Sequence, residues 1–397
     1  MIEISELFPS SIFCTIYREN RIRYTVDGSV ARLWRDYGAI YAILGGMYTP
    51  RFTITPQINT EIAHIERLKA AVDRSRILPT KEVVLRRRAA IEATRSSTGI
   101  EGNPLNVVEV GLVLSGQKIS ASERFVTEVI NYKKALSYVE KRSQNQNPIH
   151  VDDMLTLHAI TMRGLLPTAK VGSFRKTPIY IVDLVGGSTI VKYQGPKSQR
   201  VSSLIDELLS WFTRENQPLH SLLIAGILHY EFVSIHPFAD GNGRVTRLLT
   251  LLYLFQSGYS FRKVIVPDSY YFEDRQKYYQ ALSGGKTYTD QRSADLTLWL
   301  SYFIHGFYSA AKDISEKIAV VSLADDRGKV MTLTSEDYQI IDIVTTLGSV
   351  SIEDIISTTK IFKRTAQRRL SRLVQAGILT KIGKGRSTLY KIVEKQS

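Results

Sequence analysis

The chain has 397 residues, 44% hydrophobic and 23% charged, a globular composition with length enough for two or three domains. Its one cysteine, Cys14, excludes an intrachain disulfide, and no apolar stretch reaches the ~18–20 residues of a membrane span. The formal net charge of +14 is concentrated at one end: from Lys360 to Ser397 eleven Lys/Arg face one acid, Glu394, which points to a polyanionic partner there. The opening "MIEISELFPSSIF" lacks a basic segment followed by an apolar run, so no signal peptide is expected and the expected compartment is the cytoplasm.

Residues 1–55 mix Tyr, Arg and turn formers without a clear period. In "TEIAHIERLKAAVDRSRIL" the spacing of Ile62, Ile65, Leu68 and Ala71 predicts a helix, broken by Pro79. "KEVVLRRRAAIEATRSS" predicts a second helix that runs into "TGIEGNPL". Helical periods continue from about Ser120 to Phe212, with one exception. "TPIYIVDLVGGSTIVKY" is β-branched and aromatic around Gly186-Gly187, and so predicts a β-hairpin. Helices return from Val201 to about Ile318, and the polar "SLADDRGKVMTLTSED" reads as a domain boundary.

Beyond it, "EDYQIIDIVTTLG", "SIEDIISTTK" and "KRTAQRRLSRLVQAG" predict three helices, and "ILTKIGKGRSTLYKIV" a hairpin with Gly383 and Gly385 at its tip. The third helix is expected to bury Phe362, Ala366, Leu370 and Leu373. Arg364, Arg368 and Arg372, four apart, would form a stripe on another face. This order resembles a winged helix-turn-helix. Its stripe would meet phosphates and the major groove of duplex DNA, with Lys384 and Arg386 reaching from the wing. The plainer alternative is a protein-contact module whose basic residues are only solvated.

The chemistry concentrates in "HPFADGNGRVTR", His236 to Arg247, directly ahead of the apolar "LLTLLYLF". Leu248, Leu249, Leu251, Leu252, Leu254 and Phe255 cover every face of a helix, which marks it as central and buried. Gly241-Asn242-Gly243 lets the backbone turn sharply before that helix. The helix-opening N–H groups and the macrodipole then make an anion site, most often for phosphate. Arg244 and Arg247 lie three apart, and their planar forks suit phosphate oxygens. Asp240 beside such phosphates suits Mg²⁺, and His236 suits proton removal near neutral pH. Alone, each piece has a plainer reading: a turn, a structural histidine, a solvated arginine pair. His150, Asp152, Asp153 and His158 do not form a metal set, because the two histidines are eight apart and Pro148 with the Asp pair reads as a helix start.

"HPFADGNGRVTR" resembles the signature of the Fic family, His-x-Phe-x-Asp/Glu-Gly-Asn-Gly-Arg-x-x-Arg, at every defined position. The resemblance implies a protein adenylyltransferase that moves AMP from ATP, with Mg²⁺, onto a Tyr, Ser or Thr hydroxyl of a protein. It implies His236 as general base, Phe238 as loop anchor and Asp240 as metal ligand. It also implies phosphate contacts from Gly241, Asn242, Gly243 and Arg244, and a γ-phosphate grip by Arg247. The hairpin, led in by "GSFRKTPIYI", sits where Fic proteins carry a flap that pairs with the target backbone. "STGIEGN" resembles the inhibitory pattern Ser/Thr-x-x-x-Glu-Gly/Asn, so Ser97 and Glu101 would restrain Arg247.

The fold expected is mainly α: a helical Fic core with a β-hairpin flap, plus a small C-terminal winged helix-turn-helix. The divisions expected are a mostly helical N-terminal region at 1–85, the core at 86–318 with the inhibitory helix near 88–102 and the flap near 174–196, and the C-terminal domain at 331–397. The expected function is AMP transfer to a protein hydroxyl, self-modification included, with Glu101 as brake. A DNA-binding regulator whose core senses nucleotide, and an enzyme that removes AMP, are the alternatives. Expected partners are a target protein and duplex DNA, with no membrane and with a homodimer left open.

Overall fold

The computed structural model describes residues 48–77, 79–185, 188–212, 219–323, 333–359, 361–383, 385 and 388–393. Cys14, Gly186-Gly187, Lys384 and Arg386 therefore lie outside the described residues. Thr49–Ser397 forms one compact unit, and its described residues are mainly helical.

Helix α1 (Pro56–Arg74) opens on Thr55, whose hydroxyl accepts from Ile58 N at 3.2 Å, and buries Ile58, Ile62, Ile65 and Val72. It ends at Arg74, not at Pro79. Pro79 instead begins α2 (Pro79–Ile100), where its missing N–H costs nothing. The expected division at 85/86 falls inside this helix. Four shorter or similar helices follow: α3 (Val107–Leu114), α4 (Glu123–Arg142), α5 (Val151–Met162) and, after the hairpin, α6 (Val201–Phe212). The start of α5 is set by Asp153, which accepts from His150 N at 3.0 Å and from Arg142 Nε at 2.7 Å. The hairpin strands are β1 (Tyr180–Val185) and β2 (Ser188–Gln194), antiparallel with a register shift between Ile181 and Val182.

Helices α7 (Ser221–Ile235) and α8 (Asn242–Gln256) form the centre. Nearly every residue of α7 is buried, and α8 buries Leu248, Leu249, Leu252, Leu254 and Phe255. Against this pair pack α4, α5 and the long α12 (Thr297–Leu323), which also carries α1. Between α8 and α12 lie α9 (Pro267–Glu273), α10 (Arg275–Ala281) and α11 (Tyr288–Ser293). Among the described residues no helix is long and apolar enough to cross a membrane.

The C-terminal part has the expected elements: α13 (Ser335–Leu347), α14 (Ile352–Thr359), α15 (Lys363–Gln375) and the antiparallel strands β3 (Leu379–Ile382) and β4 (Leu389–Ile392). Ala366, Leu370 and Leu373 of α15 are buried as expected. Phe362 is not: it is 86% exposed. It precedes the first turn in extended conformation (φ −60°, ψ 140°), so the helical period that buries the other three does not apply to it. Arg364 and Arg368 are exposed. Arg372 is partly spent internally, 3.7 Å from Asp337, whose buried carboxylate also holds Arg369 at 3.2 Å. The core of this part includes Ile340, Val344, Ile355, Leu370 and Ile378, and one residue from far upstream, Val83 of α2.

Candidate active site

The site is built where α7 stops and α8 starts. His236 caps α7 in the left-handed region (φ 51°, ψ 59°), an unusual conformation for a side-chain-bearing residue. Three interactions hold it there. Arg175 Nε donates to His236 O at 2.8 Å, and its other nitrogens donate to Thr177 O at 2.9 Å and Pro196 O at 2.7 Å. Phe238 is fully buried, stacked on His158 at 3.9 Å between ring centres. The Asn242 side chain clasps Phe238 at both backbone atoms, accepting from N at 2.8 Å and donating to O at 2.9 Å.

These contacts revise two sequence expectations. The Asn242 side chain is committed to its own loop, so any contact it makes to an anion runs through its backbone N–H at the helix start. Arg244 is also buried, braced between Glu128 at 3.5 Å and Asp240 at 3.4 Å. It is placed to hold Asp240 and the α4 side of the site together. His158, from the rejected metal cluster, accepts from Gly172 N at 2.9 Å and lies 3.1 Å from Asp240 O. It belongs to the loop scaffold, and burial lowers its pKa to about 4.

The His236 ring has a definite tautomer. Nδ1 lies 2.9 Å from Val233 O, and a carbonyl only accepts, so Nδ1 carries the proton and Nε2 keeps its lone pair. Burial lowers the His236 pKa, with Glu101 and Asp240 opposing. The lowered pKa favours the neutral ring at neutral pH.

The glycines are dictated by space. Gly241 has φ +80°, and a Cβ there would sit 2.6 Å from Met162 Sδ. A Cβ on Gly243 would overlap Glu101 Oε1 and lie 3.1 Å from Arg247 Nη1. A carboxylate therefore rests on the opening turn of α8, the position its free N–H groups and dipole favour for an anion.

Arg247 lies behind it, its side chain 1% exposed. Nε donates to Ser97 Oγ at 2.6 Å, and Nη2 donates to Ser97 O at 2.9 Å and to Glu101 Oε1 at 2.8 Å. Burial pushes the Glu101 carboxyl up, but the charges of Arg247 and Arg244 outweigh it and hold the pKa below the ordinary value. Ser97 lies on the last turn of α2 and Glu101 just past its end. Asn103, two residues on, ties this end to α4 by donating to Glu128 Oε2 at 2.9 Å.

A cavity of about 730 Å³ opens between this loop, the hairpin and α10. Glu101, His236, Asp240, Gly243 and Arg247 line one wall, Ile181 and Lys192 of the hairpin another, and Tyr278 and Tyr279 of α10 a third. Asp240, 42% exposed at its side chain, borders it. A larger groove of about 1170 Å³ between α2, α3 and α12 holds none of these groups.

Residues 148–254 match the Fic/DOC family. The chain is 29% identical over 234 residues to Protein adenylyltransferase Fic of Drosophila erecta, covering 56% of this chain and 43% of that one. The protein of the same name from Nematostella vectensis is 28% identical over 214 residues, covering 52% and 45%. The chain thus spans less than half the length of these curated relatives. Among solved structures, a Fic family protein from Desulfovibrio desulfuricans has a TM-score of 0.57 at 24% identity, covering 88% of this chain and all of that one. A Fic domain containing signaling protein from Bacteroides thetaiotaomicron has a TM-score of 0.56 at 22% identity, covering 68% of this chain and all of that one. These two likenesses establish the fold.

Proposed function

We propose that this Fic-domain chain transfers AMP from ATP to a hydroxyl side chain of a protein. The observation that carries the reading is the juxtaposition, on one cavity wall, of His236 with its Nδ1 tied to Val233 O and an anion-ready helix start already covered by a carboxylate. In the reaction the target hydroxyl oxygen bonds to the α-phosphorus, the bond from that phosphorus to the bridging β-oxygen breaks, and pyrophosphate leaves. The hydroxyl proton passes to His236 Nε2.

The opening N–H groups of α8 at Asn242 and Gly243 would hold the phosphates, and Arg247 the γ-phosphate. Asp240 would hold Mg²⁺: its part-exposed carboxylate on the cavity wall is a hard oxygen donor, and Mg²⁺ is commonly bound by one or two carboxylates plus phosphate oxygens. Bound there, the ion would offset negative charge on the phosphates. The Ile181–Lys192 side of the hairpin would meet the target backbone by strand pairing.

In this reading residues 86–318 are the catalytic part, preceded by the 1–85 region. Glu101 is its brake, since Arg247 grips either Glu101 or a γ-phosphate. The three helices and hairpin of 331–397 are read as a winged helix that binds duplex DNA, which the exposed Arg364 and Arg368 support. The test of the enzyme is incubation with labelled ATP and Mg²⁺ followed by intact mass. Gain of one AMP on the protein supports transfer. ATP binding with no covalent product, even in Glu101→Gly, favours the nucleotide-sensing regulator instead.

A further inference from the structure

Arg247 has a second acidic neighbour that none of the sequence patterns singles out. Asp268, the second residue of α9, places Oδ2 3.7 Å from Arg247 Nε. The same oxygen accepts from the Tyr132 hydroxyl of α4 at 3.0 Å. The two counter-ions of Arg247 are therefore unlike. Glu101 stands past a helix end, its side chain 27% exposed, whereas Asp268 is 13% exposed and pinned by Tyr132. An arginine this deep cannot lose every partner cheaply, because an uncompensated buried charge is strongly destabilising. In a state in which Glu101 has left, Asp268 is the carboxylate that remains beside the Nε side.

We propose that Asp268 is a positioning residue that keeps the Arg247 fork aimed at the phosphate site once Glu101 has left. This rests on the AMP-transfer reading. Ser97 and Asp268 fix the Nε side, and the Nη1 side, which lies over Gly243, meets the γ-phosphate. Asp268 itself touches no substrate.

The test is calorimetric binding of ATP and of ADP to the full chain in the Glu101→Gly background, with and without Asp268→Asn. The ratio of the two affinities reads the γ-phosphate grip, and an interaction of this kind is worth roughly tenfold. The expected result is a ratio that falls by about that factor, with ADP affinity unchanged, and that Asp268→Glu largely restores. A ratio unchanged by Asp268→Asn, or an equal loss of ATP and ADP affinity, overturns the proposal. If Glu101→Gly alone binds ATP no better than ADP, the γ-phosphate reading fails and takes this proposal with it.

An independent observation concerns the other end of α2. Val83, 1% exposed, lies in the core of the C-terminal part with Ile340, Val344 and Leu370, while Ser97 on the last turn holds Arg247. At 1.5 Å rise per residue the two anchor points are about 20 Å apart on one helix. Gly348, in the turn after α13, presses on the end of α3, where a Cβ would sit 2.5 Å from Ser115 O. We infer that α2 couples the C-terminal part to the brake, so that a change in the packing of that part on Val83 shifts how often Glu101 covers Gly243.

The test compares self-labelling rates of Val83→Asp, and of the milder Val83→Ala, in the wild-type and Glu101→Gly backgrounds. Faster labelling in the wild-type background with no change in Glu101→Gly is expected, because the second background has no brake to release. Equal effects in both backgrounds, or no effect in the first, overturn the inference. Absence of labelling in Glu101→Gly itself defeats it together with the transferase reading.

Discussion

Glu101 and Gly243, 142 positions apart in the sequence, are in contact: the Glu101 carboxylate lies where a Cβ on Gly243 would have to go. The same carboxylate accepts from Arg247 Nη2 at 2.8 Å. One acidic side chain thus covers the helix start and occupies Arg247, the cation that grips the γ-phosphate in the proposed reading.

Gly243→Ala separates these two roles. The added methyl must displace Glu101, yet it also fills the space a phosphate requires. Isothermal titration should show ATP affinity reduced tenfold or more, on the order of the ~1.4 kcal/mol that one decade represents. Self-labelling should not rise as it does in Glu101→Gly.

His236→Ala should keep ATP binding and lose transfer by about 10²–10⁴-fold. If His236 is the base, its protonated form cannot take the hydroxyl proton, and burial lowers its pKa below the usual 6.5. The transfer rate should therefore rise from acid with a midpoint below that value and be flat through pH 7, read by initial rates at saturating ATP.

Much of this site was legible in the sequence, because glycines at a helix start, a histidine and paired arginines are spaced by local backbone geometry. Residues 236–247 and 97–101 meet as the two motifs suggested. What the spacing did not reveal is which polar groups are used up inside the loop. Asn242 clasps Phe238 within the loop itself, and Arg244 is braced by Glu128, a contact that depends on a fold bringing α4 alongside α8. Arg175 lay within the quoted "GSFRKTPIYI", but its role appears only when four carbonyls converge on it. Asp268 had no local signal at all. In the C-terminal part the helical period located Ala366, Leu370 and Leu373 correctly and failed at Phe362, one residue before the period begins.

That contrast is measurable. Leu370→Ala removes a fully buried side chain and should cost about 2–5 kcal/mol of stability. Phe362→Ala should stay within about 0.5 kcal/mol, as exposed sites do. Denaturant melts of the C-terminal part in the full chain report both.

If the C-terminal part binds duplex DNA, affinity should fall steeply with salt. Arg364→Ala with Arg368→Ala should weaken binding and flatten the salt slope by about two. Arg372→Ala should matter less for the slope, since that side chain already faces Asp337. Fluorescence anisotropy at several salt concentrations distinguishes these, and no salt-dependent binding would leave a protein-contact module.

The central claim is that Glu101 restrains forward transfer. A single-turnover assay with labelled ATP, run on unmodified protein, compares the unaltered chain with Glu101→Gly and with Glu101→Gly plus Arg247→Ala. The account predicts a rise of about tenfold or more in the first variant, as expected when the competent pose is rare, and cancellation of the gain in the second. A forward rate unchanged by Glu101→Gly would contradict it.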